Sequence, residues 1–171
     1  MKPLAKEAKK RNSAVKDIDR GDPATTGFRL KNYPFYLVAQ VDHRYADGME
    51  ETLRPHGMDR PKWRVLLCLK EKNPSSISEI AQLASMKLST ISRVADRMRK
   101  DGLVETASRE QDNRVTDVFI TERGLEALDR ILRVTSKQYQ RALDGLDNDQ
   151  VAVFCDTLRH ILTNLKRSPL E

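Results

Sequence analysis

Between Ile77 and Gly124 the spacing of apolar residues changes from helical to alternating and back to helical, and few folds accommodate that order in so short a span. In the segment Ser78 to Ala84, the residues Ile80, Leu83 and Ala84 recur at helical spacing, and Ser78 is read as the N-cap. After a turn at Ser85-Met86-Lys87, Ile91, Val94, Ala95 and Met98 fall at i, i+3, i+4 and i+7. They form one buried stripe that turns Ser89, Ser92, Arg93, Asp96, Arg97 and Lys100 outward. The helix is expected to stop at Asp101-Gly102, where glycine adopts the left-handed conformation of a helix end. Leu103 to Thr106 and Val115 to Ile120 then alternate apolar and polar residues around a polar tip, Ala107 to Arg114. Two helices, a hairpin and a third helix in that order make a winged helix-turn-helix: mainly α, with a small β-hairpin wing.

The outward face of the second helix carries small polar groups and arginines, which suits a DNA groove; the alternative is a merely solvated face. In the wing, Asp112 and Arg114 are two residues apart on an extended segment, so they are expected to pair and stiffen the loop base. That leaves Arg109 free at the tip, where it would enter a narrow minor groove and select sites by shape.

The blocks Trp63-Arg64-Val65-Leu66, Ile80-Ala81, Ser89-Thr90-Ile91-Ser92-Arg93, Lys100-Asp101-Gly102-Leu103-Val104, Asp112-Asn113-Arg114 and Thr121-Glu122-Arg123-Gly124 together resemble the multiple antibiotic resistance regulator (MarR) family. The resemblance runs from about residue 32 to residue 166 with the blocks in order. Three positions depart from it: Ser85 stands where the family often has Gly, Lys87 where it often has Ser, and Thr106 where it often has Arg. The resemblance implies a homodimeric transcriptional regulator, a repressor released from a pseudo-palindromic operator by a small ligand, often an aromatic carboxylate, a phenol or an aromatic acyl-coenzyme A. It also implies that the first helix and the last two interlock across a two-fold axis, placing two recognition helices about 34 Å apart, one turn of B-DNA.

The 171 residues carry a formal net charge of +6, which favours a polyanionic partner. The first 31 residues hold nine Lys or Arg against four Asp or Glu, so the remainder is close to neutral. DNA binding is therefore read from where the charge sits more than from its total. No apolar run approaches the roughly 20 residues that cross a bilayer, and Met1-Lys2-Pro3-Leu4 does not open a signal peptide, so the expected location is the cytoplasm. Cys68 and Cys155 both lie on apolar stripes and read as buried thiols, not redox sensors. His43, His56 and His160 are far apart, without metal-ligand spacing. There is no phosphate loop, nucleophile elbow or paired-carboxylate arrangement, so neither enzyme, metal nor cofactor is expected. The rival outside this class is a winged-helix module that binds protein. Acidic or apolar residues between Leu88 and Lys100 would mark it, whereas Arg93, Arg97, Arg99 and Lys100 stand there.

Residues 1–31 read as a basic arm, either a solvated tail or an anchor to phosphates beside the operator. Residues 32–171 form the regulator domain: dimerisation helices at 32–54 and 121–166 around a winged core at 61–120. The first helix has a stripe of Leu37, Val41, Tyr45, Met49 and Leu53; Trp63, Leu66, Leu67 and Lys70 trace the next. Thr121 is read as the cap of a long helix bearing Leu125, Leu128, Ile131, Leu132, Tyr139 and Leu143, and Asp147 or Asn148 as the cap of the last. That last helix bears Val151, Phe154, Cys155, Leu158, Ile161, Leu162 and Leu165; these stripes exceed what a small winged domain covers, or else pack within a monomer. Ser89, Thr90, Ser92, Arg93 and Arg97 are assigned to the major groove and its phosphates, Arg93 as a bidentate partner of guanine, with Arg97 alternatively paired to Asp101. Arg109 and Arg114 are carried over from the family's wing pattern. Tyr36, Gln40, His43 and Arg44, with Trp63 and Arg64, offer aromatic surface and cations to an aromatic acid; the plainer reading of Trp63 is packing.

Overall fold

The computed structural model describes residues 21–167, so most of the basic arm lies outside the described residues. The described residues up to Glu51 and those from Thr52 onward form two compact units. In the first, a short 3-10 turn at Leu30–Asn32 leads into α1 (Pro34–Leu53), whose bounds fall within two residues of the expected helix. Leu37 and Val41 are exposed, Tyr45 is half-buried and Met49 is buried, so the stripe is covered only toward its C-terminal end.

The second unit holds the winged core. Asp59 caps α2 (Arg60–Glu71) by accepting the Lys62 amide at 2.8 Å, and Pro61 sits in the first turn, where its missing N–H costs nothing. Trp63, Val65, Leu66, Cys68 and Leu69 are buried on α2, whereas Leu67, expected on the packing face, is exposed. A two-residue strand, β1 (Ser75–Ser76), precedes α3 (Ile77–Leu83) and pairs with the wing, an element that hydrophobic spacing did not reveal.

The cap of α3 is Ser76 and not Ser78. Ser76 accepts the Glu79 amide while the Glu79 carboxylate accepts the Ser76 amide at 2.7 Å, a reciprocal box that needs an accepting side chain such as Glu or Gln three residues on, here an acid. Ser76 has that acid in Glu79; Ser78 meets Ala81 at the same offset.

The second helix of the motif, α4 (Leu88–Lys100), buries Ile91, Val94, Ala95 and Met98, the four residues of the expected stripe. It packs on α2, α3 and strand β2 (Val104–Arg109). Burying side chains of this size contributes about 1.5–3 kcal/mol each, so the stripe dominates the placement of the helix. Gly102, at φ 71°, ends it as expected.

Strand β3 (Asp112–Ile120) pairs antiparallel with both β1 and β2, giving the order β1-β3-β2. The wing therefore has longer strands and a shorter tip than expected: only Glu110 and Gln111 lie between them, and a bulge at Ser108/Arg109 sets Arg109 opposite Asp112. Apolar alternation marks only the part of a strand that faces a core, while the backbone ladder continues through polar residues beyond it.

Thr121 caps α5 (Glu122–Ala142), and its hydroxyl also donates to the Gly102 carbonyl at 2.7 Å, fastening the end of the wing to the end of α4. Leu128 and Ile131 are buried there, while Leu125 and Tyr139 are exposed. Asp147 caps α6 (Asn148–Leu165) through a second reciprocal box with Gln150, and no α6 residue is buried.

Candidate nucleic-acid interface

The buried stripe of α4 fixes which residues remain outside. Ser89, Arg93 and Arg97 are exposed, and Thr90 and Ser92 are half-buried at the edge of the same face. The turn before α4 is tight: the Met86 amide donates to the Ala81 carbonyl at 2.9 Å, and Ser85 takes φ 51°. That left-handed conformation favours glycine, which explains why Gly is common here in the family the sequence resembles.

Two ion pairs join the far end of α4 to the start of α2. Lys62 Nζ lies 2.7 Å from Asp101, and Arg97 lies 3.4 Å from Asp59. The alternative pairing of Arg97 with Asp101 is not formed, and these two longer-range pairs stand in its place. Asp59 serves both elements, since one oxygen caps α2 and the other meets Arg97. Its position at a helix N-terminus already stabilises its charge.

The wing distributes its arginines differently from the sequence expectation. Asp112 Oδ1 accepts the backbone amide of Arg114 at 3.0 Å; this stiffens the loop as an Asx turn, and the guanidinium of Arg114 takes no part. Arg109 is held: its Nε donates to Asp117 Oδ2 at 2.9 Å and its terminal nitrogen to Asp117 Oδ1 at 2.6 Å. The same terminal nitrogen stands 4.0 Å from Glu79. Arg93 and Arg114 have no carboxylate within ion-pairing distance among the described residues. Between wing and helix-turn-helix lies an open cleft of about 390 Å³, lined by Ser89 and Ser92 of α4, Arg114 and Thr116 of β3, and Ser78 of α3.

The electrostatics of the wing base follow from this network. Hydrogen bonds from Lys72 and from Ser76 hold the Glu79 carboxyl at about 2. The bidentate bond to Arg109 holds Asp117 below the ordinary carboxylate range and strengthens the charge on Arg109 in return. Glu79, Lys72, Asp117, Asp59 and Lys62 are thus part of the site's framework although none stands out in the sequence. The S-x-x-E spacing from Ser76 was the one signal that would have flagged Glu79.

The residues offered to a small ligand are placed as follows. On α1, Tyr36 is half-buried and Gln40, His43 and Arg44 are exposed, with His43 3.7 Å from Asp47. On α2, Trp63 is buried, which fits packing. Arg64 donates to the Ala84 carbonyl at 3.3 Å and lines an open cleft of about 360 Å³ with Leu67 and Leu83. Burial pushes the Cys68 thiol up, and Cys155 is half-buried. Among the described residues there is no cluster of metal-ligating side chains and no helix long and apolar enough to cross a membrane.

Residues 58–116, from the start of the winged core through most of the wing, match the family model described as MarR family. The chain is 43% identical over 162 residues to the HTH-type transcriptional repressor IacR of Pseudomonas putida, covering 95% of this chain and 97% of that protein. The fold matches that of a mutant Escherichia coli MarR complexed with operator DNA, with TM-score 0.69, 21% identity, and 78% and 96% of the two chains covered. It also matches Bordetella bronchiseptica BpsR, from a structural study of how 6-hydroxynicotinic acid regulates that protein's DNA binding, with TM-score 0.67, 17% identity, and 74% and 96% covered. Helix-turn-helix, wing and an outward face of hydroxyls and arginines thus coincide with full-length similarity to a repressor, and the chain belongs to the MarR family of DNA-binding transcriptional regulators, which are not enzymes.

Proposed function

We propose that this regulator is a cytoplasmic homodimeric repressor that binds a pseudo-palindromic operator through α4 and the wing and leaves it when a small aromatic acid binds. The observation that carries the DNA part is the pair of unneutralised arginines, Arg93 on α4 and Arg114 across the cleft. A guanidinium without an internal partner retains its full fork of donors for guanine or phosphate. Ser89, Thr90 and Ser92 are short enough to let the helix approach the base edges. Arg97 and Arg109, each already facing a carboxylate, would contribute to DNA through the field of the surface more than through direct bonds.

The dimer is supported by the apolar side chains that α6 exposes, Val153, Phe154, Leu162 and Leu165, which a second copy would cover. Sedimentation equilibrium is expected to give twice the chain mass, and Leu162→Asp to give monomers that bind DNA weakly. Ligand release is supported by BpsR, whose DNA binding is regulated by an aromatic acid, and by a cation in each unit that could by itself meet a carboxylate, Arg44 on α1 or Arg64 on α2. The basic residues before Lys31 would add phosphate contacts, so removing them should lower the salt dependence of binding.

The decisive experiment is a fluorescence-anisotropy titration on the DNA flanking the protein's own gene, with and without a panel of aromatic acids and their coenzyme A thioesters. Nanomolar, sequence-selective binding released by one compound is the expected result. Tight binding that no compound releases would discard the aromatic-acid reading and keep the repressor.

A further inference from the structure

We propose that Arg109 is a positioning residue: it does not touch DNA but clamps the wing to the base of α3, and so sets where Arg114 stands beside the recognition helix. The inference rests on the DNA-binding reading above and assigns the two wing arginines opposite tasks.

The geometry begins with the sheet register. Asp117 lies on the central strand β3, opposite Ser76 of β1 on one side and Ala107 of β2 on the other. Residues two apart on a strand share a face, so Arg109 is the diagonal neighbour of Asp117. Ala107 is too short to block its path. The bulge at Ser108/Arg109 then turns the strand into the tip, and the guanidinium meets both oxygens of Asp117. Asp117 is 13% exposed and Arg109 40%, so the carboxylate is the shielded end of the pair while the guanidinium reaches toward solvent.

The pair does not end at Asp117. Arg109 approaches Glu79 in the first turn of α3, and Glu79 in turn bonds Lys72, the Ser76 amide and the Ser76 hydroxyl. One guanidinium therefore joins β2, β3 and the helix-turn-helix. Two of the five N–H donors of Arg109 are committed to Asp117, and turning the guanidinium away toward phosphate would leave Asp117 unpaired beside the DNA. Arg114, five residues on and without a carboxylate partner, faces Ser89 and Ser92 across the cleft. Moving the hairpin moves that cation relative to the recognition helix.

The test compares Arg109→Gln, Asp117→Asn, Arg114→Gln and the swap Arg109→Asp/Asp117→Arg in the full chain. Binding to the flanking DNA is measured as a function of salt, and amide exchange of Glu110 to Asn113 is measured without DNA. Each phosphate that the protein no longer neutralises lowers the slope of log affinity against log salt by about 0.9. Arg114→Gln removes one such contact from each wing of the proposed dimer and is expected to lower it by about twice that amount. Arg109→Gln and Asp117→Asn are expected to weaken binding about tenfold each with the slope unchanged, to speed exchange at the wing tip, and to be rescued by the swap. The proposal is overturned if Arg109→Gln lowers the slope as Arg114→Gln does, if Asp117→Asn binds as tightly as or more tightly than the native protein, or if tip exchange is unaltered. Native protein that fails to bind the DNA would refute the operator reading instead, and the exchange comparison would still decide whether Arg109 clamps the wing.

Discussion

Gly124 lies directly against the carbonyl of Leu103: a Cβ on residue 124 would stand 2.1 Å from that oxygen and 2.8 Å from the Ile120 side chain. The close approach joins the first turn of α5 to the residue where the wing begins. Backbone oxygen has little freedom to retreat, so the requirement for glycine here is one of space.

Gly124→Ala is therefore expected to destabilise the fold by roughly 1–3 kcal/mol or more, because overpacking against backbone outweighs the ~1 kcal/mol that alanine gains in helix propensity. Denaturant midpoints of the two proteins check this. A more stable variant would show that α5 shifts freely.

Removal of the Glu79 carboxylate should alter the acid limb of stability. The folded protein holds this group at about 2 against its ordinary 4.5, so it favours the folded state fully above pH 4.5, and that contribution fades as pH falls toward 2. Glu79→Gln is expected to be less stable at neutral pH and to lose less stability than the native protein between pH 4.5 and 2. Thermal melts across that range measure the difference.

Arg93→Ala is expected to weaken operator binding by about 1–3 kcal/mol and to relax discrimination at one base position, since the exposed arginine has no internal partner to replace. Competition with single-base operator variants measures both effects. Equal loss on specific and unrelated DNA would make Arg93 a phosphate contact only.

Of the two thiols, Cys68 should resist modification while Cys155 reacts. Burial keeps Cys68 in its protonated, enclosed form, and only the thiolate attacks disulfide reagents. In the monomeric Leu162→Asp variant, where no second copy covers α6, one fast equivalent at pH 8, abolished by Cys155→Ser, with the second thiol appearing only on unfolding, is the expected outcome.

Much of the recognition apparatus was legible before any coordinates. The α4 stripe, its glycine stop and the Thr121 cap depend on residues three or four apart, where helix geometry alone decides which side chains share a face. The third strand and the long wing strands were not legible, because their polar residues pair through backbone groups that leave no mark on side-chain patterning. The fate of the arginines is read in part: Arg93 and Arg97 face outward as expected, but the carboxylate near Arg97 is Asp59 and not the alternative Asp101, and Arg109, expected to be free, meets Asp117.

By itself the sequence determined the order of the helices and the wing, the buried face of α4 and the Thr121 cap, because each arises from interactions within a turn or two of chain. Tertiary structure alone decided which carboxylate the cations of the recognition helix and wing base meet. Lys62 finds Asp101 thirty-nine residues away, and Arg109 finds Asp117 across a bulged register. Such pairs depend on how helices pack and strands align, and the strength of a charge pair falls with distance and exposure in ways that spacing along the chain does not record.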